Sequence, residues 1–158
     1  MSLKLQDLLQ KNCILTDLKS TDKNEVLKQM AHFLATIHDL KDPDAIGNKI
    51  IERETDMSTG IGFGIAIPHA RLSGIDHPYM VAARSSQGID FNSIDDQPVH
   101  LIFMLVSPAS TSSEHTQILS SLSRIMSYEE IREDLLEAEG AEEFLEIITT
   151  GENKYVQY

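Results

Sequence analysis

No segment limits what this chain can fold into more than Ser58-Thr59-Gly60-Ile61-Gly62-Phe63-Gly64-Ile65-Ala66-Ile67-Pro68-His69-Ala70-Arg71. Three glycines alternate with Ile61 and Phe63, so the backbone there can reach positive φ or approach a neighbour closely. Ile65-Ala66-Ile67 reads as a short buried strand. Pro68 has no N–H to give a central ladder, so it ends that strand or lies at an edge. His69 is then presented at a strand end, beside a loop rich in backbone N–H groups. Such a setting suits an imidazole nucleophile next to an anion cradle.

The rest of the chain alternates helical and strand patterns. Leu3 to Leu9 predicts a short helix, and Ile14-Leu15 a strand. Val26, Leu27, Met30, Phe33, Leu34 and Ile37 have amphipathic-helix spacing over Asn24 to Ile37, with Thr21 as candidate N-cap. A second helix opens at Asp42-Pro43, the proline at its first position, and runs to about Glu54. Met80 to Ala83 reads as a strand. Val99 to Val106, bounded by Pro98 and Pro108, is the clearest core strand. A helix is expected from Ser112-Ser113, another from a capping box at Ser127-Tyr128-Glu129-Glu130, and a last one over Glu142 to Ile148, stopping before Gly151. Strands alternating with helices imply α/β layering, with helices over both faces of one sheet. At 158 residues, with no internal repeat or long linker, one domain is expected over 1–158.

The run Gly64-Ile65-Ala66-Ile67-Pro68-His69-Ala70 resembles the active-site signature of the phosphotransferase-system IIA proteins of the fructose/mannitol type, a family that includes the stand-alone nitrogen-regulatory branch. The resemblance covers nearly the whole chain. It implies a single α/β domain whose sheet is mixed, and a metal-independent phosphotransferase in which His69 carries the phosphoryl group. Composition and spacing alone do not show the mixed sheet.

The same resemblance assigns two neighbours to His69. His115, at the start of a helix after the core strand, would bond the incoming group or fix the acceptor's tautomer. Arg53, in Arg53-Glu54-Thr55-Asp56-Met57-Ser58-Thr59-Gly60, would hold phosphoryl oxygens with its planar fork. Ser58, Thr59, Gly60 and Gly62 are candidate phosphate contacts, although the two hydroxyls could equally cap the loop. Ile61 and Phe63 either pack inward or stand exposed as a docking surface for a partner. The family often has Asn where Phe63 stands and Gly where Ala70 stands. The implied partners are a histidine-containing carrier upstream and a separate IIB protein, or a regulatory target, downstream.

Composition narrows the field further. A net charge of −12, from 25 acidic and 13 basic residues, disfavours nucleic acid and anionic lipid as direct partners. That charge serves solubility first, and it could also steer a basic protein partner. The one cysteine, Cys13, excludes an internal disulfide and a Cys-based zinc site. His32, His38, His77 and His100 have no metal-ligand spacing, so no metal is expected. No nucleotide loop ends in Gly-Lys-Ser/Thr, and no cofactor is expected. Neither a signal peptide nor a membrane-spanning run is evident, which predicts a cytoplasmic protein.

Overall fold

The computed structural model describes residues 3–110 and 113–157. In chain order the described elements are α1 (Leu5–Leu8), a 3-10 turn (Lys11–Cys13), β1 (Ile14–Leu15), α2 (Lys23–His38), α3 (Pro43–Asp56), β2 (Gly60–Gly62), β3 (Ile65–Ala66), β4 (His69–Leu72), β5 (Tyr79–Ile89), β6 (Val99–Pro108), α4 (Ser113–Met126), α5 (Glu129–Glu137) and α6 (Ala141–Tyr155).

Strand β6 organises the sheet. Every residue from Leu101 to Val106 is at most 1% exposed. Successive strand side chains point to opposite faces, so burial of all six means that both faces are covered. Along one side β6 pairs antiparallel with β5; along the other it pairs parallel with β3 and then β4. β1 adds parallel to β5, and β2 antiparallel to β3, giving the order β1-β5-β6-β3-β2. The sheet is mixed and helices flank it, the α/β class that the sequence implied. One helical group is α2 with α3, packed on β5 and β4. The other is α4 to α6, where Phe144 of α6 meets Phe103 of β6 at 6.4 Å between ring centroids.

β3 and β4 form one interrupted line along β6. β3 places Ile65 and Ala66 opposite Leu101 and Ile102, whereas β4 places His69 to Leu72 opposite Leu105 to Pro108. The interruption is at Ile67-Pro68. Proline donates nothing, yet its carbonyl still accepts from Leu105 N at 3.0 Å. His69 therefore opens a second strand.

The glycine run folds as a β2–β3 hairpin, with Gly62 opposite Ile65 and a two-residue turn at Phe63-Gly64. Both turn residues have positive φ, +59° and +77°. That is the pattern of a type I′ turn. Gly60 is required for a different reason, because a Cβ there would lie 2.2 Å from Ser93 Oγ.

Several expected boundaries move. The α2 N-cap is Asp22, not Thr21, and its carboxylate accepts from Glu25 N at 3.0 Å. α3 starts at Pro43 as expected but continues to Asp56. The expected start of α4 at Ser112 lies outside the described residues; the helix is described from Ser113. Ser127 builds no capping box, since its hydroxyl donates back to Arg124 O at 2.6 Å, and Tyr128 is the α5 N-cap. Gly151 does not stop α6, which continues to Tyr155. A Cβ at 151 would come within 2.8 Å of Ile131 Cδ1, so this glycine lets α6 lie close to α5.

Candidate functional site

The broken strand turns His69 toward a pocket of about 480 Å³ between β4, the C-terminal half of α3 and the start of α4. Its wall includes Lys49, Arg53, His69, Arg71 and His115, with the carboxylates of Glu52 and Asp56. The His69 and His115 rings stand edge to face, 5.2 Å between centroids and 64° between planes.

The tautomer of His69 follows from its local backbone. Nδ1 is 2.7 Å from the Ile67 carbonyl, two residues back across Pro68. A carbonyl can only accept, so Nδ1 carries the proton and Nε2 keeps its lone pair. Burial depresses the His69 pKa most; the Ile67 bond and Glu54 oppose that, and the Arg53 and Arg71 charges add to the depression. His115 is buried, with Nδ1 2.7 Å from Ser107 Oγ. Its pKa falls to about 4, first through burial, then through His69, Arg71 and Arg53. Both imidazoles are therefore neutral at pH 7, the state in which a ring nitrogen is nucleophilic.

Arg53 is on the last turn of α3, and its Nη1 donates to the Met57 carbonyl at 2.9 Å. Beneath it lies a buried network. The Glu54 carboxylate accepts from Thr59 N (2.9 Å) and Thr59 Oγ1 (2.5 Å) and pairs with Lys23 Nζ (2.9 Å). Lys23 Nζ also donates to the Phe91 carbonyl at 3.0 Å, and Ser58 Oγ donates to the same oxygen at 2.5 Å. These bonds fix the segment that presents the Met57 carbonyl to Arg53.

The expected phosphate contacts are consequently distributed differently. Ser58 and Thr59 spend their hydroxyl protons on Phe91 and Glu54, Gly60 N donates to Ser58 Oγ at 3.1 Å, and none of these three, nor Gly62, lines the pocket. Of the two hydroxyls, Ser58 bonds loop backbone at the Phe91 carbonyl, whereas Thr59 bonds the Glu54 side chain. Ile61 and Phe63 face solvent, 41% and 69% exposed. Asp95 holds Phe63 N at 3.0 Å, and the Arg132 guanidinium lies 4.5 Å from the Phe63 ring centroid. Met57 and Ile94 are exposed too, Ile94 meeting the hairpin through its N–H to the Gly60 carbonyl.

Sequence reasoning did not single out Arg71, Ser107, Glu54 or Ile94. Arg71 was legible through strand alternation, lying two residues after His69. Ser107 could not be paired with His115 without the β6–α4 geometry. The remaining histidines have other roles: His38 contacts the Met80 carbonyl, His100 the Ser85 carbonyl, and His32 and His77 sit beside Asp44 and Asp76. Among the described residues no group of His, Cys, Asp or Glu could hold a metal ion, and no helix is long and apolar enough to cross a membrane.

A single mixed-sheet α/β domain thus brings two neutral imidazoles and two arginines to one pocket, with Lys49, Glu52 and Asp56 beside them. The comparisons with known proteins name the family. The family model for the phosphoenolpyruvate-dependent sugar phosphotransferase system, EIIA 2, matches residues 7–151, and the chain belongs to that family. It is 39% identical over 146 residues to the PTS system fructose-specific EIIABC component of Bacillus subtilis, covering 92% of this chain and 23% of that protein. It is 31% identical over 151 residues to a nitrogen regulatory protein of Pseudomonas aeruginosa, covering 96% of this chain and 98% of that one. The crystal structure of nitrogen regulatory protein IIA-Ntr from Neisseria meningitidis superposes with a TM-score of 0.86 at 30% identity, over 91% of this chain and 98% of that one. The chain thus spans under a quarter of the first relative and nearly all of the second.

Proposed function

We propose that this chain is a histidine phosphocarrier in which His69 Nε2 accepts a phosphoryl group from a phosphohistidine on an upstream carrier protein. The observation that carries this reading is the neutral His69 ring, its Nδ1 proton committed to Ile67, lining a pocket shared with Arg53 and His115. A P–N bond forms at His69 Nε2 as the donor's P–N bond breaks. The donor ring leaves with the freed electron pair. Each ring keeps the proton on its other nitrogen, so a phosphoryl group moves and no net proton does. Positive charge that develops on the phosphorylated ring falls on Nδ1–H, where the Ile67 carbonyl already accepts. Arg53 neutralises phosphoryl oxygens, and the buried His115 ring bounds the acceptor on its other side. No metal is required in such a transfer.

Met57, Ile61, Phe63 and Ile94 are exposed apolar residues on the hairpin or on segments next to it, a fitting surface for the carrier. Downstream, a IIB protein would take the group. The Bacillus subtilis relative is named an EIIABC component, which fits a IIA function for the matching stretch. The near-complete overlap with nitrogen regulatory proteins favours a second reading, a module whose phosphorylation state controls binding to another protein. Either role is a cytoplasmic one.

The test is labelling by a phosphorylated carrier, with heteronuclear NMR of the product. Label at His69 Nε2, acid-labile and absent from His69→Ala, is expected. Label on Ser58, Thr59 or another histidine would sink the assignment. Onward transfer to a IIB cysteine then separates relay from regulatory module.

A further inference from the structure

We propose that Arg71 is a second phosphoryl-binding residue, closing on the transferred group from the strand side while Arg53 meets it from the helix side. The inference rests on the phosphocarrier reading. Along β4 the burial alternates: His69 half-buried, Ala70 buried, Arg71 exposed, Leu72 buried. Period-two alternation puts His69 and Arg71 on the same side of the strand, two residues apart, about 6.6 Å. Register partners share a face as well. Leu105 stands opposite His69, and Ser107 stands opposite Arg71. Ser107 is the residue that anchors His115. Arg71 is therefore level with the second imidazole, and both arginines, contributed by two different elements, line the pocket together with Lys49, Glu52 and Asp56.

Charge gives a second arginine a role, because the lining sets Lys49, Arg53 and Arg71 against the carboxylates of Glu52 and Asp56. A phosphoryl group on nitrogen carries about −1.5 to −2 at neutral pH, as a phosphate ester does. In flight it spreads that charge over three equatorial oxygens. One planar fork meets two of them. His115 is uncharged at pH 7 and supplies no compensating cation. The chain as a whole carries −12, so an anion reaching His69 crosses an unfavourable mean field unless local cations offset it. Both rings already register Arg71: its charge contributes to the lowered pKa of each.

The experiment compares wild type, Arg71→Gln, Arg71→Lys and the remote surface control Arg124→Gln. Single-turnover transfer from the phosphorylated carrier is followed across carrier concentration. Arg71→Gln should lower the maximal rate constant by roughly 100-fold, the usual effect of removing one charge-stabilising donor. Half-saturation should barely move. Arg71→Lys should recover part of the rate, and Arg124→Gln should match wild type. An unchanged maximal rate, or a defect confined to half-saturation, overturns the assignment. Unfolding of both Arg71 variants also overturns it, because the residue is then structural. If wild type itself takes no label, the phosphocarrier reading fails, and Arg71 is judged by inorganic phosphate alone. Phosphate should then move the His69 ring signals in wild type at concentrations that leave Arg71→Gln unmoved; equal shifts overturn the proposal.

Discussion

Replacing Phe63 by Asn should leave the protein about as stable as wild type, whereas replacing it by Ala should not. Phe63 occupies the first turn position of a type I′ hairpin at φ +59°. Left-handed backbone costs a residue other than Gly, Asn or Asp roughly 1–2 kcal/mol. Asn-Gly is the preferred pair for this turn. The ring is 69% exposed, and among the described residues it meets the Arg132 guanidinium, a contact worth about 0.5–1 kcal/mol at an exposed site. Phe63→Ala loses that contact and keeps the strain, a cost of about 0.5–1 kcal/mol. Phe63→Asn loses the same contact and recovers about 1 kcal/mol of strain, so the two effects nearly cancel. The variants should differ by about 2–4 °C in Tm for a domain of this size. Urea unfolding of both, read beside carrier affinity, is the assay. Under the docking proposal, carrier affinity should fall by about 1–3 kcal/mol in each, since both remove the exposed aromatic. Equal destabilisation of the two variants refutes the turn argument. A loss of about 3–5 kcal/mol in both would make Phe63 a core residue.

Three further outcomes are expected. Glu54→Ala leaves Lys23 and both Thr59 donors without their buried carboxylate and should cost about 3–5 kcal/mol, a Tm drop on the order of 6–20 °C; a cost under about 1 kcal/mol by calorimetry would remove the network from the account. Arg53→Lys keeps the charge but not the fork, so transfer should slow while melting hardly changes; a normal rate would leave Arg53 with only its bond to Met57. Stability should fall as pH drops from about 6.5 toward 4, because the unfolded chain takes up protons at His69 and His115 that the folded chain refuses. His115→Gln should flatten that slope, and an unchanged slope would contradict the neutral buried ring.

The fold was legible where periodicity was strong. β6 reads directly from its apolar run, α2 from its spacing, and α3 from its spacing and its Asp42-Pro43 start. Boundaries failed where a local signal had two meanings. Gly151 looked like a helix stop, but its missing Cβ serves a close helix contact with Ile131. Ser127 looked like a cap, but its hydroxyl bonds the preceding turn. At the site, the resemblance named His69, Arg53 and His115 because all three lie in or near recognisable motifs. Ser58 and Thr59 were left ambiguous because a hydroxyl's acceptor is set by what folds against it, here Phe91 and the Glu54 carboxylate. Arg71 and Ser107 become neighbours only once β4 lies beside β6.

That pairing has a consequence for motion. His69 is level with Leu105, and His115 is tied to Ser107, two positions farther along the same buried strand. Both rings are thus indexed to one ladder, and β6 is held by neighbours on both sides. Fraying of the hairpin or of the α3 terminus would change what can reach the acceptor without altering the spacing of the two imidazoles. Amide protons of Leu105 and Ser107 should exchange only when the whole domain opens, while those of the β2–β3 turn exchange through local openings. On the phosphocarrier proposal, the acceptor ring stands on the part of the molecule expected to open last, and the docking hairpin on one expected to open sooner.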